Sequence, residues 1–243
     1  MIDLAKIRAR LPGRQIEWFA SVDSTMKAAA ALEVGAIAGA EEQIAGIGRH
    51  GHSWHSPAGA GLYISVVLPQ HPPANSPLVM LALGLAVRQA VGEVSDLIPD
   101  VRWPNDVLIR HKKCAGILAQ TAGDRIIAGI GINVNHREFP PELTDIATSL
   151  RICGAQVTRE DLLVALARAI DEYQEMLCVN RGEAVCDEFL RTSSYAFGKR
   201  VTVDLDGHSI TGTTEGLDES GFLRVKDDRG VIHTILAGGV RAL

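Results

Sequence analysis

The sequence predicts an α/β (α+β) fold that ends in a small all-β module, and three observations carry that prediction. Helical and strand periodicities alternate from residue 2 to about residue 194. After Gly198 the texture changes: β-branched and polar residues alternate, with turn signals at Asp206-Gly207, Ser220-Gly221 and Arg229-Gly230. At 243 residues, 47% hydrophobic and 22% charged, the chain has material for one sizeable core and a modest appendage. The boundary is expected near Ala196, giving a first domain over 1–195 and a second over 196–243.

Taken in order, "IDLAKIRARL" has helical spacing and stops at Pro12-Gly13, after which "QIEWFA" reads as a strand. "STMKAAAALEVG" reads as a helix capped by Ser24 or Thr25 and stopped at Gly35. Strands follow at "AIAGAEE" and "GLYISVVL". The apolar stretch from Pro77 to Val94 then reads as a buried helix with Pro77 in its first turn; Arg88, Gln89 and Glu93 make its unbroken apolar run too short for a bilayer. "DVRW" is a short strand, and "DVLIR", "CAGILAQT" and "RIIAGIGINVN" form a meander of hairpins. "TRED" at Thr158 is a capping-box variant opening the amphipathic helix "LLVALARAIDEYQEML", and "EAVCDEFLRTSS" is one more helix. The terminal module should hold four or five strands, short enough to need docking against its neighbour.

Gly46, Gly48 and Gly51 spell G-x-G-x-x-G, but a dinucleotide loop opens a helix and is followed about 20 residues later by an acid. Here the glycines lead through Trp54 and Pro57 into a strand, and no Asp or Glu occurs between Glu42 and Glu93. An acid-free stretch bearing Arg49, His50, His52 and His55 suits an anion, with glycine amides turned inward as a nest and Arg49 as a cationic fork. A surface loop that happens to lack acids is the alternative. Further on, Pro104 keeps Trp103 out of helical geometry, which places Asn105 and Asp106 on a turn. Lys113 opens an apolar strand; pointing inward it needs an anionic partner, pointing outward it solvates a hairpin.

Five segments stand in order: D-S-T at Asp23 to Thr25, Q-x-A-G-x-G-R-x-G-x-x-W from Gln43 to Trp54, W-P-N-D from Trp103 to Asp106, K-x-A-G-I-L from Lys113 to Leu118, and G-I-G-I-N-V-N from Gly129 to Asn135. This series resembles the biotin protein ligases, which attach biotin to a carboxylase carrier domain, and the resemblance covers essentially the whole chain. It implies a mixed-sheet catalytic domain related to class II aminoacyl-tRNA synthetases and an SH3-like β-barrel at the C-terminus. It also implies a two-step reaction using ATP and Mg²⁺, through biotinyl-5′-AMP, onto a lysine of a biotin carboxyl carrier domain.

The resemblance carries over to Ser24, Thr25, Gln43, Gly46 and Gly116 as biotin contacts, and to Trp54, Asn105 and Asn133 for the adenylate. Arg49 and Lys113 are expected to hold both anions and the charge that builds at phosphorus. Asp106 is expected near the phosphates or the incoming amine, with turn capping as the alternative; no metal ligand is assigned. The family pattern G-R-G-R-x-G-R is altered here, because Ile47 and His52 stand where arginines are usual, and Arg102 replaces a usual lysine. A leakier intermediate is expected, or an activity that depends on protonation of His50 or His52.

Two other activities fit the same broad pattern: a lipoate or octanoate protein ligase, and a non-catalytic biotin or adenylate sensor. The net charge of −5, and the 22 residues before Asp23, too few for a helix-turn-helix domain, lead to an expectation of no specific DNA binding. Scattered Cys114, Cys153, Cys178 and Cys186 read as reduced thiols of a cytoplasmic protein. No membrane partner is expected, and homodimer formation stays open.

Overall fold

The structure, a computed structural model, describes residues 1–70, 76–179, 181–205 and 207–243, and their side chains except those of His50 and Ser76. Helix α1 (Leu4–Arg10) is capped by Asp3, whose carboxylate accepts the Lys6 amide. Strand β1 (Ile16–Val22) leads to α2 (Thr25–Ala29), then to β2 (Ile37–Gln43) and β3 (Gly61–Pro69). Next come α3 (Ser76–Val94), β4 (Asp100–Arg102), β5 (Asp106–Ile109), β6 (Lys112–Ala122) and β7 (Arg125–Asn133). Helices α4 (Arg159–Cys178) and α5 (Gly182–Thr192) precede β8 (Phe197–Leu205), β9 (His208–Leu217), β10 (Leu223–Asp227), β11 (Ile232–Ile235) and β12 (Gly239–Ala242).

The first seven strands make one mixed sheet in the order β1-β2-β3-β7-β6-β5-β4. Only β1 and β2 are parallel, because α2 carries the crossover between them; every other pairing is antiparallel. Period-two alternation divides the faces. Ile64, Val66 and Leu68 of β3 and Ile126, Ala128, Ile130 and Ile132 of β7 join the main core with α3, α4 and α5. The opposite parity, Val67 and Ile127, packs with Ala29 and Ala38 under α2. Helix α3 is apolar and long enough to cross a bilayer by composition, but most of its surface is buried in this core. The last five strands form an antiparallel sheet in the order β11-β10-β9-β8-β12. Its turns pass through Gly207, Gly221 and Gly230 at φ +86°, +85° and +84°, where only glycine sits without strain. Asp206, half of one expected turn signal, lies outside the described residues.

Two expectations need correction. The helix expected over 24–35 ends at Ala29: the chain turns there, the Leu32 amide bonding Ala29, and the Gly35 amide bonds to Val67, delivering the chain to β2. Asp106 opens β5 rather than sitting on the turn, which is made by Trp103, Pro104 and Asn105 with a cis bond between Trp103 and Pro104. All four cysteines are free, with Cys178 exposed and the other three buried.

Candidate active site

The face of the sheet turned away from the main core is scooped out by its own sequence. In register, Ser65 of β3 stands opposite Gly129 of β7, which stands opposite Leu118 of β6; the next row is Tyr63, Gly131 and Gly116. The "GIGIN" run thus places isoleucines in the core and glycines on the other face, leaving room above the sheet. Trp54 fills part of it: a Cβ on Gly131 would sit 2.3 Å from Trp54 Nε1, and one on Gly116 would sit 3.0 Å from the same indole. Trp54 is thereby the wall between two cavities.

The narrow cavity, about 50 Å³, is lined by Ser24, Thr25, Met26, Gln43 and Ile47 among others. Ser24 caps α2, accepting the Met26 amide, which holds Thr25 at the helix start and nearly buried. The Thr25 amide and hydroxyl both donate to Gln43 Oε1, at 2.9 and 3.1 Å. The wider cavity, about 480 Å³, is lined by Asn133, Phe139, Leu143, Ile146 and His52 among others. Gly48, Arg49, Trp54, Asn105 and Lys113 border both.

Charge gathers at that shared border. Asp106 binds Lys113 Nζ through one oxygen and Arg102 Nη2 through the other, each at 2.6 Å. Burial alone would raise its pKa, but the Lys113 and Arg102 charges outweigh it and hold the carboxyl below the usual range. The inward reading of Lys113 therefore holds: its ammonium is paired, half-buried and 5.3 Å from the Trp54 ring centroid. Its backbone is fixed too, donating to Ile146 O and accepting from the Thr148 amide. Among the described residues Arg49 bonds to neutral acceptors, Asn105 Oδ1 at 3.0 Å and Gly238 O at 3.1 Å. Burial lowers its pKa, partly offset by Asp106, yet a guanidinium keeps its proton. A charge so placed, between two cavities, is ready for an incoming anion.

The glycine loop is not an open nest. Gly48 donates to His52 O and Trp54 to Gly46 O, and Ile47 bridges Ser53, so the loop is a small hairpin tipped by a single 3₁₀ turn, Arg49–Gly51. The Gly48 amide is spent within it. Asn105 and Asn133 are buried and their amides serve the protein, donating to Ile117 O and Thr148 O. Gly46 is sterically required, since a Cβ would stand 2.7 Å from Trp54 O. Phe139, Leu143 and Ile146 escaped the reading of the sequence; their four- and three-residue spacing in a proline-bearing loop was the available signal.

Known proteins resemble this chain over nearly its whole length. The profile of the Biotin/lipoate A/B protein ligase family matches residues 18–136, and that of the Biotin protein ligase C terminal domain matches 196–240. The biotin--[acetyl-CoA-carboxylase] ligase of Mycobacterium tuberculosis is 33% identical over 98% of this chain and 95% of its own length. The bifunctional ligase/repressor BirA of Bacillus subtilis is 31% identical over 93% of this chain and 73% of its own. Among solved structures, the biotin protein ligase from Aquifex aeolicus in complex with biotin and ATP superposes with a TM-score of 0.85 at 32% identity, covering 94% of this chain and 99% of that one. With both profiles matched in sequence order and the Mycobacterium tuberculosis relative aligned nearly end to end, the chain belongs to the biotin protein ligases of the biotin/lipoate A/B protein ligase family.

Proposed function

We propose that the protein joins biotin, at the expense of ATP, to a lysine of the carrier domain of a biotin-dependent carboxylase. The observation that carries this reading is the Arg49–Lys113 border between a narrow cavity with a polar end and a wide one with apolar walls. Biotin enters the narrow cavity, which must widen to take it, its ring against Ser24, Thr25 and Gln43, with Gly46 behind Gln43, and its carboxylate at the border near Gly116. ATP occupies the wide one, its purine among Trp54, Phe139 and Ile146 and its α-phosphate at the same border. Asn105 and Asn133 shape this side, Asn105 by orienting Arg49.

In the first step a biotin carboxylate oxygen attacks the α-phosphorus, the bond to the β-phosphate oxygen breaks, and pyrophosphate leaves. Two anions must approach, so Arg49 and Lys113 offset their repulsion and the charge that develops on the phosphoryl oxygens. In the second step the acceptor amine attacks the biotinyl carbonyl, an amide forms, AMP leaves and a proton is released. Asp106 holds Lys113 and Arg102 in place through its two ion pairs and aims them at the border. The residues present do not fit a protein-held Mg²⁺: Asp106 is engaged by two cations, and the described residues include no cluster of three His, Cys, Asp or Glu. The nucleotide is taken as MgATP, the ion entering with the substrate phosphates.

The test is biotin-dependent exchange of labelled pyrophosphate into ATP, with lipoate as the control acid. Wild type is expected to exchange with biotin alone, and Lys113→Ala and Arg49→Ala to lose at least about a hundredfold in rate. Exchange driven by lipoate, or undiminished in both variants, would reject this reading.

A further inference from the structure

Behind the narrow cavity runs a chain of hydrogen bonds whose direction the geometry fixes. Ser56 Oγ donates to the Trp54 carbonyl at 2.9 Å, which uses its only proton, so it accepts from Gln43 Nε2 at 3.1 Å. At the other end of the amide, Gln43 Oε1 accepts the Thr25 N–H; flipped, the amide would set one donor against another. The Thr25 hydroxyl also donates to Gln43 Oε1. Its proton is then committed, and the 2.8 Å contact between Thr25 Oγ1 and Ser65 Oγ has Ser65 as donor. What remains free is one lone pair on Thr25 Oγ1 and one hydrogen on Gln43 Nε2, both on residues that line the cavity. An acceptor beside a donor complements an N–H beside a C=O.

We propose that Ser56 and Ser65 are positioning residues that fix this donor–acceptor pattern and thereby select an acid carrying a cyclic urea over one carrying an apolar ring. The proposal rests on biotin being the acid of the reaction above. Neither serine lines the cavity; they are 6% and 0% exposed and act through Gln43 and Thr25. The same relay accounts for glycine at 46, whose Cβ would press on Ser56 Oγ at 2.9 Å and Gln43 Nε2 at 3.2 Å. Without Ser65 the Thr25 hydroxyl is free to turn its proton into the cavity; without Ser56 the Gln43 amide loses the acceptor that orients it. An apolar ring in the intact site leaves both groups without partners, a penalty that a disordered relay no longer imposes in full.

The test measures biotin binding by calorimetry and, by pyrophosphate exchange, kcat, the KM for biotin and the inhibition constant of lipoate, in Ser56→Ala, Ser65→Ala and Ser65→Thr. In the alanine variants the Kd and KM for biotin should rise about tenfold, with kcat within about twofold and lipoate inhibition unchanged or tighter. Ser65→Thr, which keeps the hydroxyl, should recover most of that loss. If Ser65→Ala does not fold, Ser56→Ala reads the same relay from its other end. Unchanged biotin affinity in a folded alanine variant, or equal weakening of biotin and lipoate, overturns the proposal. Calorimetry reads the relay even without turnover, so failure of the assigned reaction and failure of the relay are told apart.

Discussion

His136 sits behind the wide cavity, 3% exposed, its ring stacked on Phe139 with centroids 4.8 Å apart and His55 a further neighbour at 5.8 Å. Burial and then the nearby His55 push its pKa down to about 4. The unfolded chain takes up that proton near the ordinary value of about 6.5, so between pH 6.5 and 4 the unfolded state binds more protons. Stability is therefore complete above pH 6.5 and falls with pH through that window, by about 2–3 kcal/mol at the acid limit. Urea unfolding of wild type and His136→Leu at pH 7 and 4.5 checks this, and the variant should lose distinctly less on acidification. Equal slopes would remove His136 as the source. Asp106 poses a different case. Asp106→Asn leaves Lys113 and Arg102 sharing a site without an anion, and a cost of about 1–3 kcal/mol with a larger loss of exchange activity is expected, read by denaturation and kcat. Arg49 and Lys113 stand out as candidates because a charge in an acid-free or apolar stretch needs a reason, whereas Asp106 enters only through the family resemblance, with turn capping as its alternative. Whether Lys113 faced inward was not legible, since strand parity there depends on pairing partners far along the chain.

Strands β6 and β7 show what the pattern of a single strand can and cannot say. Their existence and bounds follow from apolar runs between turn signals, and the structure keeps them within a few residues. What alternation alone does not reveal is why one face is glycine. That face must stay empty for the Trp54 indole and for a ligand, a requirement set by a residue on a distant loop. Gly131→Ala is the direct probe: its backbone lies within a central strand paired on both sides, so the clash falls on Trp54. We expect about 1–3 kcal/mol of destabilisation from overpacking and weaker biotin binding as the indole moves into the cavity. A melting curve and biotin titration that both match wild type would mean that the indole has somewhere else to go. Helix α2 teaches the converse. Its Ala-rich sequence suits a longer helix, but tertiary bonds from Gly35 to Val67 end it early, and the short element presents Ser24 and Thr25 to the cavity.

The two sheets meet through contacts that no local pattern announces. Trp103 Nε1 donates to Gly221 O at 3.1 Å, and Gly221 has no Cβ to push away Leu78 and Leu81. Arg49 reaches Gly238 O across 189 positions of sequence, so the terminal module helps to hold the cation at the border of both cavities. Composition and turn signals lead to the expected boundary near Ala196, but a bond from a side chain to a distant carbonyl leaves no trace in either segment. Gly238 has φ +136° and a Cβ there would stand 2.6 Å from Asp204 O, so alanine must move this carbonyl. If the carbonyl orients Arg49, Gly238→Ala should lower kcat/KM for biotin-driven exchange about tenfold through loss of one charge-assisted bond. A strained turn could lower activity by loosening the module as a whole, and a double-mutant cycle separates the two causes. Acting through Arg49, Gly238→Ala should cost little more once Arg49→Ala is present, whereas independent losses would multiply and place the effect elsewhere in the interface.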